Sequence, residues 1–199
     1  MIAIVDYGAG NLKSVKKAFD FLQVDANVVS SGDELKDATK VVLPGVGAFG
    51  AAMDKLNAHG FVEPIRQWIA DDKPFLGICL GLQMLFESSA ETDDVNGLGA
   101  FKGTNLRFKD GKVPQIGWNQ VNAKTDTPLM RGIENGSYFY FLHGYYIAPE
   151  ELTLVTGETN YYITYPCMIN RGKVYAVQFH PEKSGDVGIQ LLKNWIENC

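Results

Sequence analysis

Cysteine is scarce in this sequence, with three among 199 residues, and histidine is equally rare. Cys79, Cys167 and Cys199 lie too far apart for the short ligand pairs of a zinc site and are too few for a disulfide framework. No metal and no organic cofactor is therefore expected. Also missing is any apolar run of ~20 residues, the length a helix needs to cross a bilayer. The opening "MIAIVDYGAGN" lacks the basic n-region and cleavage site of a signal peptide, so the expected location is a reducing cytoplasm, away from membranes. Basic clusters are absent as well: the 18 Lys and Arg are scattered among 23 Asp and Glu, which argues against a nucleic-acid partner. With 46% hydrophobic and 21% charged residues, the chain reads as one globular domain spanning 1–199.

The first half alternates between two periodicities. "IAIVDY", "ANVVS", "KVVLPG" and "PFLGIC" are short apolar runs, hence strands. Between them, Leu12, Val15, Ala18, Phe19 and Leu22 recur at helical spacing behind Asn11, a candidate N-cap. "AFGAAMDKLNAHG" and "FVEPIRQWIADD" also read as helices, and "LGLQMLFESS" is expected to be a third, following "PFLGIC". Strands that are apolar throughout and alternate with helices predict a mostly parallel sheet covered on both faces. From about residue 97 the helical spacing gives way to aromatic and alternating runs, with turns at Asp110-Gly111 and Asn170–Gly172. The final "SGDVGIQLLKNWIENC" is helical again. The expected architecture is a three-layer α/β domain with an antiparallel section in its C-terminal half.

One motif imitates a function. Gly45-x-Gly47-x-x-Gly50 follows a strand and opens a helix, matching the dinucleotide fingerprint by letter. That fingerprint belongs after the first strand and needs an acidic residue at the end of the next one. Here it follows the third strand, Glu63 falls in a helix, and Pro44 removes a donor from the loop, so the glycines need another role.

Gly77-Ile78-Cys79-Leu80-Gly81 sits at a strand-to-helix junction with the pattern of a nucleophile elbow, sulfur replacing oxygen. Small residues two positions either side relieve crowding around a side chain lifted above the sheet edge, and a following helix N-terminus favours a thiolate. Buried cysteine is common, so the motif alone leaves packing and nucleophilic roles open. The histidines separate them. His59 is read as an ordinary helix terminator. His180 closes the run "VYAVQFHP" at the edge where parallel sheets keep their sites. Glu182, two residues on, would share its face on an extended backbone, with Pro181 stiffening the link. Nucleophile, base and orienting acid are then Cys79, His180 and Glu182. The "PGVG" loop supplies the missing part: the N–H groups of Leu80 and Val46 are the expected oxyanion donors, with Gly45 granting the loop its backbone freedom. Gln83, one helical turn past Cys79, is placed to hydrogen-bond a substrate amide or carboxylate.

Together, "PFLGICLGLQML", "PGVGAF" and "VQFHPEKS" resemble the motifs of class I glutamine amidotransferases, over essentially the whole chain. "DYGAGNLKSV", "VPQIGWNQV" and "YFYFLHGYY" are more narrowly similar to the glutaminase subunits of imidazole glycerol phosphate synthases. The resemblance implies a flavodoxin-like fold and hydrolysis of glutamine to glutamate and ammonia. It also implies a (β/α)8 cyclase partner that takes the ammonia to make imidazole glycerol phosphate and an aminoimidazole carboxamide ribotide in histidine biosynthesis. Gly45 and Gly47 then belong to the oxyanion loop, Gly81, Gln83, His143 and Tyr145 to the glutamine pocket, and Asn11, Trp118 and Lys183 to the partner face. Gly144 departs from the family, which usually carries a hydroxyl there. With no acceptor site of its own, the glutaminase is expected to be controlled by its partner through the Gly45–Val46 peptide. A glutaminase serving another synthase, a cysteine peptidase or deglycase, and a non-catalytic binding module on the same scaffold stay open as alternatives.

Overall fold

The computed structural model describes residues 1–9 and 11–199. In chain order the elements are β1 (Ile2–Val5), α1 (Leu12–Phe21), β2 (Ala26–Val29), β3 (Lys40–Gly45), α2 (Phe49–Ala58), α3 (Val62–Ala70), β4 (Phe75–Cys79) and α4 (Leu80–Gln83). There follow β5 (Phe86–Ser89), β6 (Phe101–Arg107), β7 (Gln115–Gln120), β8 (Asn122–Ala123), β9 (Tyr138–His143) and β10 (Tyr145–Pro149). The chain closes with β11 (Val155–Tyr161), β12 (Ile163–Arg171), β13 (Val174–Val177) and α5 (Gly185–Asn198).

An 8-stranded sheet in the order β2-β1-β3-β4-β13-β12-β11-β8 forms the centre. Strands β2, β1, β3, β4 and β13 run parallel, and β12, β11 and β8 continue the sheet antiparallel. The inner parallel strands β1, β4 and β13 are buried along their whole length because helices cover both faces. In β1, Ala3 and Val5 point to one core with Phe49, Leu56, Ile65 and Trp68 of α2 and α3. Ile2 and Ile4 point to the other, with Val15 and Phe19 of α1 and Leu192 and Trp195 of α5. This is the three-layer α/β arrangement expected from the sequence.

Two expectations change. The stretch 80–89 is not one helix: α4 stops after a single turn and β5 begins at Phe86. Continuing the helix would require the carbonyls of residues 83–85, and these are already engaged. Asn105 Nδ2 donates to Gln83 at 3.1 Å, Leu98 N–H to Met84 at 2.7 Å and Phe101 N–H to Leu85 at 3.1 Å. Long-range hydrogen bonds thus override a local helical pattern. The Asp110-Gly111 turn, in turn, joins no hairpin, because β6 pairs with β5 and β10 while β7 pairs with β9. The turn at Asn170–Gly172 does join the antiparallel β12 and β13, with Gly172 at φ +56°.

Candidate active site

The C-terminal ends of β3, β4 and β13 converge at one edge of the sheet, where β3 delivers Gly45 opposite Cys79 in the ladder. Cys79 has φ +56° and ψ −109°, a backbone region that a side-chain-bearing residue enters only at a cost of ~1–3 kcal/mol. The glycines beside it make the turn possible. A Cβ at Gly81 would lie 1.9 Å from the Leu43 carbonyl oxygen, and one at Gly77 would lie 2.9 Å from that of Gly81. Gly45 is needed for close approach too, since a Cβ there would stand 2.8 Å from both Leu80 Cβ and Tyr7 Oη. It is Gly47, at φ +102°, that takes the left-handed conformation in this loop. Because α4 is one turn long, its dipole contributes less at Cys79 than the expected longer helix would.

His180 and Glu182 come together differently from the expected extended strand. The segment Pro181–Lys183 is a 3-10 turn, and it folds Glu182 back so that Nδ1 of His180 meets Oε1 at 2.8 Å. Both side chains are buried, 2% and 1% exposed. The turn is held from several sides: His180 N–H donates to the Tyr140 carbonyl at 2.8 Å, and Ser184 Oγ donates to the His180 carbonyl at 2.6 Å. Gly188 of α5 packs so tightly that a Cβ there would sit 1.9 Å from the Pro181 carbonyl oxygen. With Nδ1 fixed by Glu182, Nε2 is buried without a hydrogen-bond partner. Burial alone would lower the His180 pKa, but the neighbouring Cys79 sulfur, joined by the Glu182 carboxylate, pushes it up to about 10. The imidazole therefore has a carboxylate on one side and a sulfur on the other.

In front of Cys79 opens a cavity of about 320 Å³ whose wall includes Val46, Leu80, Gln83, His143 and Tyr145. Gly47 also lines it, whereas Gly45 and Gly81 lie behind the wall and act by leaving room. Gln83 is more committed than its spacing suggested. Its Nε2 donates to the Tyr145 carbonyl at 2.8 Å and to Gln178 Oε1 at 3.1 Å, so both amide protons are used. In this arrangement Oε1 is the Gln83 atom left to meet a ligand. His143 is buried, and its pKa falls to about 4 through burial, assisted by His180 and opposed by the Tyr145 carbonyl. Its Nδ1 donates to that carbonyl at 2.8 Å. Neutral Nε2 must then accept from Tyr165 Oη, 3.1 Å away. The phenol has one proton to share between that nitrogen and Gln115 Oε1, 2.7 Å away. His143 is a brace for the Tyr145 backbone rather than a charged ligand.

Sequence reasoning overlooked three polar residues here. Gln178, fully buried, places Nε2 3.7 Å from Cys79 Sγ. Glu91 and Arg107 give the cavity wall one side chain of each charge. Glu91 is anchored through Oε2, which accepts from Phe49 N–H at 2.8 Å. Of the residues expected at a partner face, Trp118 and Lys183 share Tyr140 as a neighbour. Trp118 is 55% exposed and packs edge-on against Tyr140, with ring centroids 6.1 Å apart. Lys183 Nζ lies 5.8 Å from the same ring. Asn11 is at the head of α1 but its side chain makes no capping bond there; only its carbonyl accepts, from Ser14 and Val15 N–H. Gly144 lines the cavity, with Val113 Cγ1 3.3 Å from where a Cβ would be.

A strained thiol above a parallel sheet edge, next to a buried His–Glu pair and a glycine loop, matches known proteins over nearly the full chain. The family model for class-I glutamine amidotransferases covers residues 3–199. The chain is 46% identical over 198 residues to the imidazole glycerol phosphate synthase subunit HisH of Methanocaldococcus jannaschii, covering 99% of each. With the subunit of the same name from Chlorobaculum tepidum it shares 47% over 200 residues, 99% of this chain and 100% of that one. Among solved structures, a glutamine amidotransferase superposes with a TM-score of 0.78 at 17% identity, over 99% of this chain and 98% of the other. PurLQS from Thermotoga maritima also gives 0.78, at 19% identity, over 98% and 96%. The chain belongs to the class I glutamine amidotransferase family, among the HisH-type subunits of imidazole glycerol phosphate synthase.

Proposed function

We propose that this chain is a cytoplasmic glutaminase subunit that hydrolyses glutamine and passes the ammonia to a (β/α)8 cyclase partner. Its likeness to HisH subunits supports the pathway, and a strained Cys79 beside a buried His180–Glu182 pair, whose Nδ1 and Oε1 are 2.8 Å apart, supports the chemistry. Cys79 Sγ, as thiolate, adds to the side-chain carbonyl carbon of glutamine while the oxygen takes up charge facing the Leu80 and Val46 N–H groups. An oxyanion donor of this kind is worth ~3 kcal/mol. As the tetrahedral adduct collapses, the C–N bond breaks and His180 Nε2 protonates the departing ammonia, leaving a thioester. The neutral ring next takes a proton from water, whose oxygen attacks the thioester; the C–S bond breaks and glutamate leaves. Glu182 holds the Nδ1–H tautomer through both halves.

On this reading the exposed Trp118, with Tyr140 and Lys183 packed beside it, anchors the cyclase, because exposed aromatics and a neighbouring cation are frequent interface anchors. Asn11 adds a polar contact at the head of α1. The Gly45–Val46 peptide is the element through which partner and nucleotide ligand control turnover. The test is glutamate release from glutamine, with and without an added cyclase subunit and its nucleotide ligand. Turnover stimulated by the cyclase and lost in Cys79→Ala is expected. Full turnover in Cys79→Ala would refute the chemistry, and full turnover without a partner would refute the control.

A further inference from the structure

Behind the glycine loop the protein buries a hydroxyl with nothing to bond. Tyr7 follows β1, and the β1–β3 register, with Ile4 opposite Val42, carried three residues on sets it level with Gly45. Gly45 in turn lies opposite Cys79, so the three residues form a row across the sheet edge. The Tyr7 side chain is fully buried, in the same core as Phe49 and Leu56 of α2. Its Oη stands 2.8 Å from where a Cβ on Gly45 would be, and so fills the space that the glycine leaves open. Among the described residues this Oη has no hydrogen-bond partner. Burial and the charge of Cys79 both raise the phenol pKa, so the group stays protonated and keeps its donor. Buried hydroxyls are almost always paired, because an unpaired one has lost its water and gained nothing. The acceptor best placed to reach it is the Gly45 carbonyl, one bond from the Cα that Oη already faces.

A trans peptide is planar, and its C=O and N–H point in opposite directions. When the Gly45–Val46 peptide turns its N–H to the cavity, its carbonyl turns away from the cavity. We propose that Tyr7 Oη donates to the Gly45 carbonyl in that orientation and thereby holds the oxyanion loop in its productive form. Tyr7 is then a positioning residue: it acts through the loop and touches neither the substrate nor the reacting atoms. The proposal rests on the glutaminase reading and on control through the Gly45–Val46 peptide. The hydroxyl is unpaired in the chain on its own and paired in the productive form, so it biases the balance between the two by the bond it gains. Tyr7→Phe loses that bias, yet it also removes an unpaired polar group from the core. Activity and stability should therefore part company, whereas a tyrosine that only fills the core would lose both together. The effect belongs in kcat, because charge on the oxyanion develops only in the transition state.

The test compares wild type with Tyr7→Phe, each alone and in complex with the cyclase subunit and its nucleotide ligand. In the complex, glutaminase kcat should fall about tenfold, the worth of one hydrogen bond, while KM for glutamine changes by less than about twofold. Turnover of the isolated subunit should change less, so that stimulation by the cyclase shrinks. Its denaturation midpoint should hold or rise. Alkylation of Cys79 by iodoacetamide at pH 7 should keep its rate, because forming the thiolate does not need the loop. An unchanged kcat in the complex, as for a hydroxyl that only holds a buried water, would overturn the assignment and leave the glutaminase reading standing. So would a midpoint that drops along with kcat, which marks a packing role, or alkylation that slows in step with kcat, which places the effect on the sulfur. Wild-type turnover that the cyclase does not stimulate would overturn control through the loop, and the assignment with it. No turnover by the wild-type complex would overturn the glutaminase reading itself.

Discussion

Gln178 Nε2 lies 3.7 Å from Cys79 Sγ, and its Oε1 accepts from Gln83 Nε2 at 3.1 Å. The thiol therefore ends a buried chain of amides that runs from Cys79 through Gln178 and Gln83 to the Tyr145 carbonyl. A donor directed at sulfur stabilises the thiolate more than the thiol. Replacing Gln178 by Leu removes that donor and leaves one Gln83 proton without its acceptor. Turnover should fall about tenfold, the equivalent of one lost hydrogen bond of ~1.4 kcal/mol. The specific readout is the pH dependence of Cys79 alkylation by iodoacetamide, followed on the Cys79 peptide. Its inflection should move to higher pH, and an unmoved inflection would remove Gln178 from the set of thiolate-stabilising groups.

Two glycines of the site should respond oppositely to alanine. At Gly81 the added Cβ meets the Leu43 carbonyl 1.9 Å away, so β3 and the elbow must separate. Backbone has nowhere to yield within the central sheet, and Gly81→Ala should cost ~3 kcal/mol or more, read as a drop in denaturation midpoint. At Gly47 no atom lies within 4 Å, but φ is +102°. Gly47→Ala is strained only locally, by ~1–2 kcal/mol, and the loop can relax. Its denaturation midpoint should move little while turnover drops, because relaxation redirects the neighbouring Val46 N–H. A larger stability loss at Gly47 than at Gly81 would contradict this division of roles.

That contrast also separates what could be read from the residues from what could not. The elbow was legible because crowding imposes small residues two positions either side of Cys79, a local rule. His180 and Glu182 were legible as a pair, although a 3-10 turn rather than a strand joins them. Gln178 gave no signal, since one amide inside "VYAVQFHP" looks like a flaw in a strand until β13 is placed beside β4. Glu91 and Arg107 reach the cavity from β-rich segments whose partners are far along the chain, as in the pairing of β6 with β10. The single-turn α4 was misread for the same reason: the groups that end it come from residues 98, 101 and 105.

Acid stability should be governed in part by His143. Its pKa is about 4 in the folded chain, against about 6.5 in an unfolded one. Between these values the unfolded chain binds the extra proton, so the stabilisation is complete above pH ~6.5 and is lost as pH falls towards 4. The slope from this single group reaches at most ~1.4 kcal/mol per pH unit. Urea unfolding at pH 4.5, 5.5 and 6.5 should show the decline, and His143→Gln should flatten it while lowering stability at pH 7. His180 works in the opposite direction: with its folded pKa raised to about 10, its contribution is present below pH ~6.5 and fades as pH rises towards 10. A wild-type profile flat between pH 4.5 and 6.5 would show that His143 is not held neutral.

Glu182→Gln removes the charge of the dyad while keeping the size of the side chain. The glutamine carbonyl can still accept from His180 Nδ1 at the position of Oε1, keeping the ring in place. Two things change. The carboxylate no longer supports the imidazolium, so the His180 pKa falls from about 10 and the thiolate–imidazolium pair is less populated near neutrality. The new NH2 group also replaces Oε2, which is buried without a partner, and gains a donor that nothing satisfies. That second effect drives the amide to flip, turning NH2 towards Nδ1 and forcing the proton onto Nε2, where it cannot act as base. By analogy with other triads, kcat should fall ~10²- to 10⁴-fold, with KM for glutamine moving far less. Alkylation of Cys79 at pH 7 should slow in parallel, whereas the denaturation midpoint should shift by only a few degrees. If kcat falls and alkylation does not, Glu182 acts on the later proton transfers alone; if neither falls, it is no member of the catalytic set.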